Sequence, residues 1–284
     1  MQHACFIIFD TMLDILHYDF MRNAFAAGIL VSIACGVVGT LVVVNRLSFL
    51  SGGIAHTAYG GLGLAAFLRW PPLAGAFLFT MLSSLLLGKV TIENKERADT
   101  FIGVVWAVGM AFGIIMMDLT KRYYVDLMSY LFGSILVVSD MNIIFMVLLD
   151  MVIITMVSLL FKEFLGISYD DEFAQISGVP VKGLYYLLFM LIAVSVVMLI
   201  QVVGLILVIA LFTIPASIAE KFTKDLKRMM AVASALGACF TTAGIVLSYW
   251  LNFTAGAMII LLAGASYLVI DLLLRACRKI EVTE

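Results

Sequence analysis

The sequence places one histidine inside an apolar stretch, His56, within residues 46–63 (RLSFLSGGIAHTAYGGLG). Neutral imidazole is a common ligand for zinc and the later first-row metals. Ser48, Gly52, His56, Gly60 and Gly63 fall on one face of a helix, so that face is small or polar throughout. Such a face has two readings. It is a tight seam against a neighbouring helix, with His56 hydrogen-bonded inside it, or it is the wall of a pathway that offers the imidazole to a passing cation. One histidine does not complete a four-coordinate metal site. Companions must come from other helices or from a second copy of the chain. His3 and His17 lie near the N-terminus and read as interfacial or solvent-facing residues.

The second isolated ionisable group is Asp150, in the apolar run Leu148-Leu149-Asp150-Met151-Val152. An ionised carboxylate is costly there, so Asp150 is expected to face the interior. It is either a structural hydrogen-bonding group or a ligand that accompanies the cation. Asp271 and Arg275, four residues apart, read as an ion pair near a helix end. The four cysteines (Cys5, Cys35, Cys239 and Cys277) have no short spacing and read as small core residues. The phosphate-cradling loop is absent: its nearest approach, Gly88-Lys89-Val90, has Ser83 where the first glycine belongs. No nucleophile elbow, His-Glu-x-x-His or Cys-x-x-Cys occurs, so the chain is not expected to be an enzyme. The segment 215–228 leaves an apolar run at Pro215 and carries Ser217, Glu220, Lys221, Lys224, Lys227 and Arg228. Proline suits the first turn of a new helix. The segment is thus either a plain basic loop or a knob for a cytoplasmic partner.

These residues need elements to hold them, and composition says where those elements lie. Of 284 residues, 64% are hydrophobic and 13% are charged, with a mean hydropathy of +1.14. A soluble core of this size cannot hide so much apolar surface. The chain belongs in a bilayer, in contact with lipid. Its net charge of −2 provides no footprint for nucleic acid. Spanning helices need about 20 apolar residues. Hydropathy places them near 22–44, 48–68, 71–90, 102–119, 142–161, 184–200, 204–220, 229–251 and 255–275. The expected fold is therefore an all-α bundle of nine spans, or eight if two of these merge. The run between Lys182 and Lys221 would be roughly 57 Å long as one helix, too long for one crossing. A hairpin at Gln201–Gly204 divides it in two. One transmembrane domain, 1–284, leaves no room for a soluble one.

Thirteen of the 17 basic residues fall on one side when loops 45–47, 89–101, 162–183, 221–228 and the C-terminus share it. Arg22, Arg69, Lys121 and Arg122 are the exceptions. The positive-inside rule then sets the N-terminus outside and the C-terminus in the cytoplasm of an inner, or cytoplasmic, membrane. No basic residue precedes Arg22, so a cleavable signal is not expected. The outer segment 120–141 is too apolar for an ordinary loop and is expected to hold a half-helix dipping into the bundle.

Three stretches now carry a resemblance. The His56 segment, residues 98–113 (ADTFIGVVWAVGMAFG) and residues 204–219 (GLILVIALFTIPASIA) resemble, in order, the membrane permeases of metal-cation ABC importers, the zinc, manganese and iron group. The likeness extends to 129–134 (SYLFGS) and runs over the chain beyond residue 12. It implies a fold like the cobalamin and siderophore permeases. It also implies a dimer with a second copy or a close relative, cytoplasmic ATPase subunits that bind the ATP, and an external metal-binding protein that delivers the ion. His56 matches the pathway histidine of that family, and Pro215, Ala216, Ser217, Ala219, Glu220 and Lys221 match its ATPase-coupling segment. The family often has an aspartate four residues before the histidine, where this chain has Gly52. Carboxylate oxygen suits manganese and imidazole suits zinc, so the expected cargo is zinc, with manganese or iron as alternatives.

In this reading Asp118, Asp126 and Asp140 gather the divalent cation at the outer mouth, His56 holds it weakly, and segment 215–228 transmits ATPase motion. The competing reading is a secondary metal transporter driven by an ion gradient, with His56 and Asp150 relaying protons.

Overall fold

The structure, a computed structural model, describes residues 19–93, 97–120, 131, 133, 138–205 and 208–281. Regular secondary structure among the described residues is entirely helical. The long helices are α1 (Asp19–Val44), α2 (Ser48–Leu68), α3 (Pro72–Glu93), α4 (Ala98–Asp118) and α5 (Asp140–Leu159). Two short ones follow, α6 (Phe161–Tyr169) and α7 (Asp171–Ile176). The bundle closes with α8 (Val181–Val202), α9 (Val208–Phe222), α10 (Leu226–Leu251) and α11 (Ala255–Glu281).

Each of the nine expected spans coincides with one of these helices, but they are not equivalent. Seven, namely α1, α3, α4, α5, α8, α10 and α11, are long and apolar enough to cross a bilayer. The two others are α2 and α9. Five glycines and His56 dilute the hydropathy of α2, and 15 of its 21 residues are buried. It is a central helix, wrapped by α3, α4, α8 and α9. Lipid-facing residues make a span apolar, and α2 has few. The 15 residues of α9 extend about 22 Å, short of the ~30 Å hydrocarbon layer. Ahead of it, α8 ends at Val202 and Gly204 takes a φ of 83°. The expected hairpin is therefore present, and the turn takes up part of the depth.

The helices define two ends. At one, a cavity of about 830 Å³ is lined by Asn45 and Arg46, by Thr91 and Asp99, and by Gln175 and Lys182. Three of the basic loops thus meet there. Asn45 Nδ2 donates to Ser168 Oγ (3.0 Å), and Tyr169 Oη donates to the Lys224 carbonyl (3.4 Å), which brings in the fourth. At the other end Asn23 Nδ2 donates to Asp140 Oδ1 (2.7 Å), tying the start of α1 to the start of α5. Gly133, at φ 75°, lies against the backbone of Val203 and Gly204. The expected half-helix within 120–141 lies for the most part outside the described residues, as do His3, His17, Cys5 and Asp126.

Close approach of small residues holds the bundle together, as membrane helices require where burial from water supplies no drive between them. Ser32 Oγ and Thr241 Oγ1 are 3.2 Å apart across the α1–α10 seam, and a Cβ at Gly36 would overlap Ser234. The expected start of a new helix at Pro215 is corrected. Pro215 lies inside α9, which runs unbroken from Val208 to Phe222. The ring forfeits the amide bond to the preceding turn. Packing against α1, α10, α11 and α2 holds the helix on both sides of it.

Candidate functional site

The helices α2 and α4 run side by side and parallel, and their contacts advance together. A Cβ at Gly53 would collide with Ile102, one at Gly60 would stand 2.8 Å from the Gly109 carbonyl oxygen, and one at Gly63 would overlap the Gly113 backbone. Two glycine pairs therefore let the helix backbones nearly touch. Between the Gly53 and Gly60 levels, the side chains of His56 and Trp106 meet. Their rings stack with centroids 3.9 Å apart and planes 10° from parallel. His56 is 7% exposed, and its Nδ1 has no hydrogen-bond partner among the described residues. The Trp106 Nε1–H points to Met110 Sδ, 3.2 Å away. Behind His56, Thr57 Oγ1 bonds Ser83 Oγ (2.8 Å) and joins α2 to α3.

Gly52, one turn before His56, lies against α9. A Cβ there would strike the Ile209 side chain and stand 4.0 Å from Trp106 Cζ3. The space into which a carboxylate at 52 would project is thus filled by Ile209. The tight-seam reading of the small-residue face holds at Gly60 and Gly63, which meet Gly109 and Gly113, whereas Gly52 faces Ile209 and His56 faces the Trp106 ring. Ser48, at the start of α2, is half-buried.

Asp150 is 4% exposed and lies on the buried face of α5 with Met146, Ile153 and Val157. That face packs mainly on α1. Neither carboxylate oxygen has a hydrogen-bond partner among the described residues. Because α2 packs on α3, α4, α8 and α9 instead, Asp150 and His56 are on different seams. Among the described residues, no three His, Cys, Asp or Glu side chains gather as a metal cluster. Among the described residues, no second His, Cys, Asp or Glu joins His56 in such a group. Asp118 and Asp140 stand at the end away from the basic loops.

In segment 215–228, Pro215, Ala216 and Ala219 are buried, the two alanines against Met229 and Ala233 of α10. Ser217 is half-buried and Glu220 exposed, and Phe222 is 60% exposed. Lys221 turns back to α11, where its Nζ meets Asp271 Oδ1 at 2.7 Å. The outward surface is thus limited to the end of α9 and the turn after it.

Residues 17–273 match the ABC 3 transport family. The chain belongs to the ABC 3 transport family. An uncharacterized membrane protein of Synechocystis, slr2045, is 50% identical over 260 residues, covering 92% of each chain. The manganese transport system membrane protein MntC of Listeria monocytogenes is 31% identical over 249 residues, covering 88% of this chain and 89% of its own. Among solved structures, PsaBC from Streptococcus pneumoniae in complex with Fab superposes with a TM-score of 0.83 at 30% identity, covering 92% of this chain and 94% of that one. The resemblance to metal-importer permeases is borne out.

In this ABC 3 chain, two site residues are not evident from the sequence. Trp106 stands inside the second patterned stretch, three and seven residues before Gly109 and Gly113. That spacing places it on the same helix face as the two glycines, which is the signal that marks it. Ile209 carries no such signal, because it is one of many aliphatic residues in an apolar run.

Proposed function

We propose that this chain is the transmembrane permease subunit of an ATP-driven importer of a divalent first-row metal ion. The observation that supports this reading is similarity, over 88% of the chain, to a relative named as a manganese transport system membrane protein. ATP binds to separate cytoplasmic ATPase subunits. An external metal-binding protein delivers the ion, and a second permease copy or a close relative completes the dimer. The N-terminus is outside and the C-terminus is in the cytoplasm of the inner membrane, which puts the basic end inside.

In this mechanism His56 holds the cation in passing. A single imidazole suits that task, since conduction needs a site strong enough to enter and weak enough to leave. The glycine seam of α2 and α4 keeps the walls at the constriction rigid. Motion of the ATPases enters at the exposed end of α9. Asp150, on a separate seam, does not touch the ion at His56.

Manganese is the first cargo, because the Listeria monocytogenes relative is named for manganese transport. Zinc is the second, because the carboxylate position beside His56 is glycine and its space is filled by Ile209. Cellular manganese, zinc and iron, measured with the gene intact or deleted under metal-limited growth, test the reading. A selective fall in manganese or zinc, restored by the intact gene, is expected. No fall in any metal, with redundant uptake routes also removed, would overturn it.

A further inference from the structure

We propose that Trp106 is the positioning residue for His56: its indole fixes the plane of the imidazole by stacking and leaves the ring nitrogens free for the cation. This deepens the metal-permease reading and rests on it.

A metal bonds imidazole through a lone pair in the plane of the ring. A neighbour that touches only the ring face does not compete for that lone pair. Metal-binding histidines are ordinarily oriented by a hydrogen bond from the second nitrogen to a carboxylate, carbonyl or water. His56 Nδ1 is buried and has no such partner among the described residues. What orients the ring is the stacked indole, 3.9 Å away and within 10° of parallel.

The indole is itself held. Its Nε1–H is engaged with Met110 Sδ at 3.2 Å, one turn along the same helix. Its helix cannot slide along α2, because the Gly60–Gly109 and Gly63–Gly113 contacts fix the register on one side and Gly53–Ile102 fixes it on the other. On the face of α2 toward α9, Trp106 and Ile209 occupy the space beside Gly52. A carboxylate there would have been an alternative means of orienting the ring, so the stack stands where that support is missing.

The test uses the permease with its ATPase and binding protein in proteoliposomes. Trp106→Leu keeps an apolar side chain but removes the stack; Trp106→Phe keeps an aromatic face and removes the N–H. The Leu variant is expected to raise the KM for manganese or zinc by about tenfold or more, the scale of losing a histidine's orienting partner. It should still assemble with its ATPase subunits. The Phe variant should recover most of the loss. The second measurement leaves Trp106 in place. The chain has three tryptophans, so Trp70→Phe with Trp250→Phe makes Trp106 the sole indole. Cobalt(II), a paramagnetic probe, is expected to quench its fluorescence saturably, and His56→Ala should abolish that quenching. Parental KM in the Leu variant, failure of the Phe variant to recover, or absence of saturable quenching would each overturn the proposal. If the unaltered permease moves no metal, it is the metal-permease reading itself that fails.

Discussion

Lys221 Nζ at the end of α9 lies 2.7 Å from Asp271 Oδ1 on α11 and 4.1 Å from the centre of the Tyr267 ring. The other carboxylate oxygen of Asp271 is 2.8 Å from Arg275 Nε. The Asp271–Arg275 pair expected from their spacing is therefore present, and Lys221 joins it from a segment 50 residues away. The exposed end of α9 is thereby clamped to the last helix, so a push on one is felt by the other. Lys221→Met is expected to lower ATP-driven metal uptake several-fold while the ATPase subunits remain bound. The exchange Lys221→Asp with Asp271→Lys should restore part of it. Uptake and ATP hydrolysis measured on the same proteoliposomes check this, and unchanged coupling in Lys221→Met would remove the clamp from the transport path.

The α2–α4 seam leaves no room for a methyl group. Gly63→Ala would drive a Cβ into the Gly113 backbone, and backbone cannot swing aside as a side chain does. A destabilisation of about 1–3 kcal/mol is expected, as for overpacked cores. Gly103→Ala, where a Cβ meets nothing within 4 Å, is the control. Thermal unfolding in detergent should separate the two; equal midpoints would contradict the seam.

Gly52 and Ile209 make a testable pair for metal choice. Gly52→Asp alone should impair uptake, because the new side chain meets Ile209. Together with Ile209→Ala it should fit and place a carboxylate one turn from His56. Oxygen donors favour manganese, so competition between manganese and zinc in the double variant should shift toward manganese. A preference identical to the parent's would mean that position 52 does not see the ion.

Asp150→Asn preserves shape and removes the charge. Since Asp150 packs on the α1 side of α5 and not on α2, metal uptake close to parental is expected. Loss of uptake in an otherwise intact complex would bring Asp150 into the pathway and favour a proton-linked transporter.

Much of this architecture was legible because membrane burial writes itself into composition. The nine helices that match the expected spans among the described residues follow runs of apolar residues, and the turn near Gly204 follows from the length limit on a single crossing. The shared end of the basic loops follows from charge. What hydropathy misjudges is the standing of α2 and α9. A central helix need not be apolar, and Pro215 does not start a helix where packing on both sides carries the helix through it. At the site, His56 was evident as an isolated ionisable residue. Trp106 was not, because an aromatic residue in an apolar span is ordinarily anonymous; only the register set by Gly109 and Gly113 brings it to His56. Asp150 was evident in sequence as a second isolated ionisable residue, and only tertiary packing assigns it and His56 to different seams.

The most direct test is transport by the purified complex. Permease, ATPase and binding protein in proteoliposomes are supplied with radioactive manganese or zinc, with and without ATP and with a protonophore. The account predicts uptake that requires ATP, survives collapse of the proton gradient, and falls sharply in His56→Ala while the ATPase stays bound. Uptake that proceeds without ATP and stops with the gradient would contradict it.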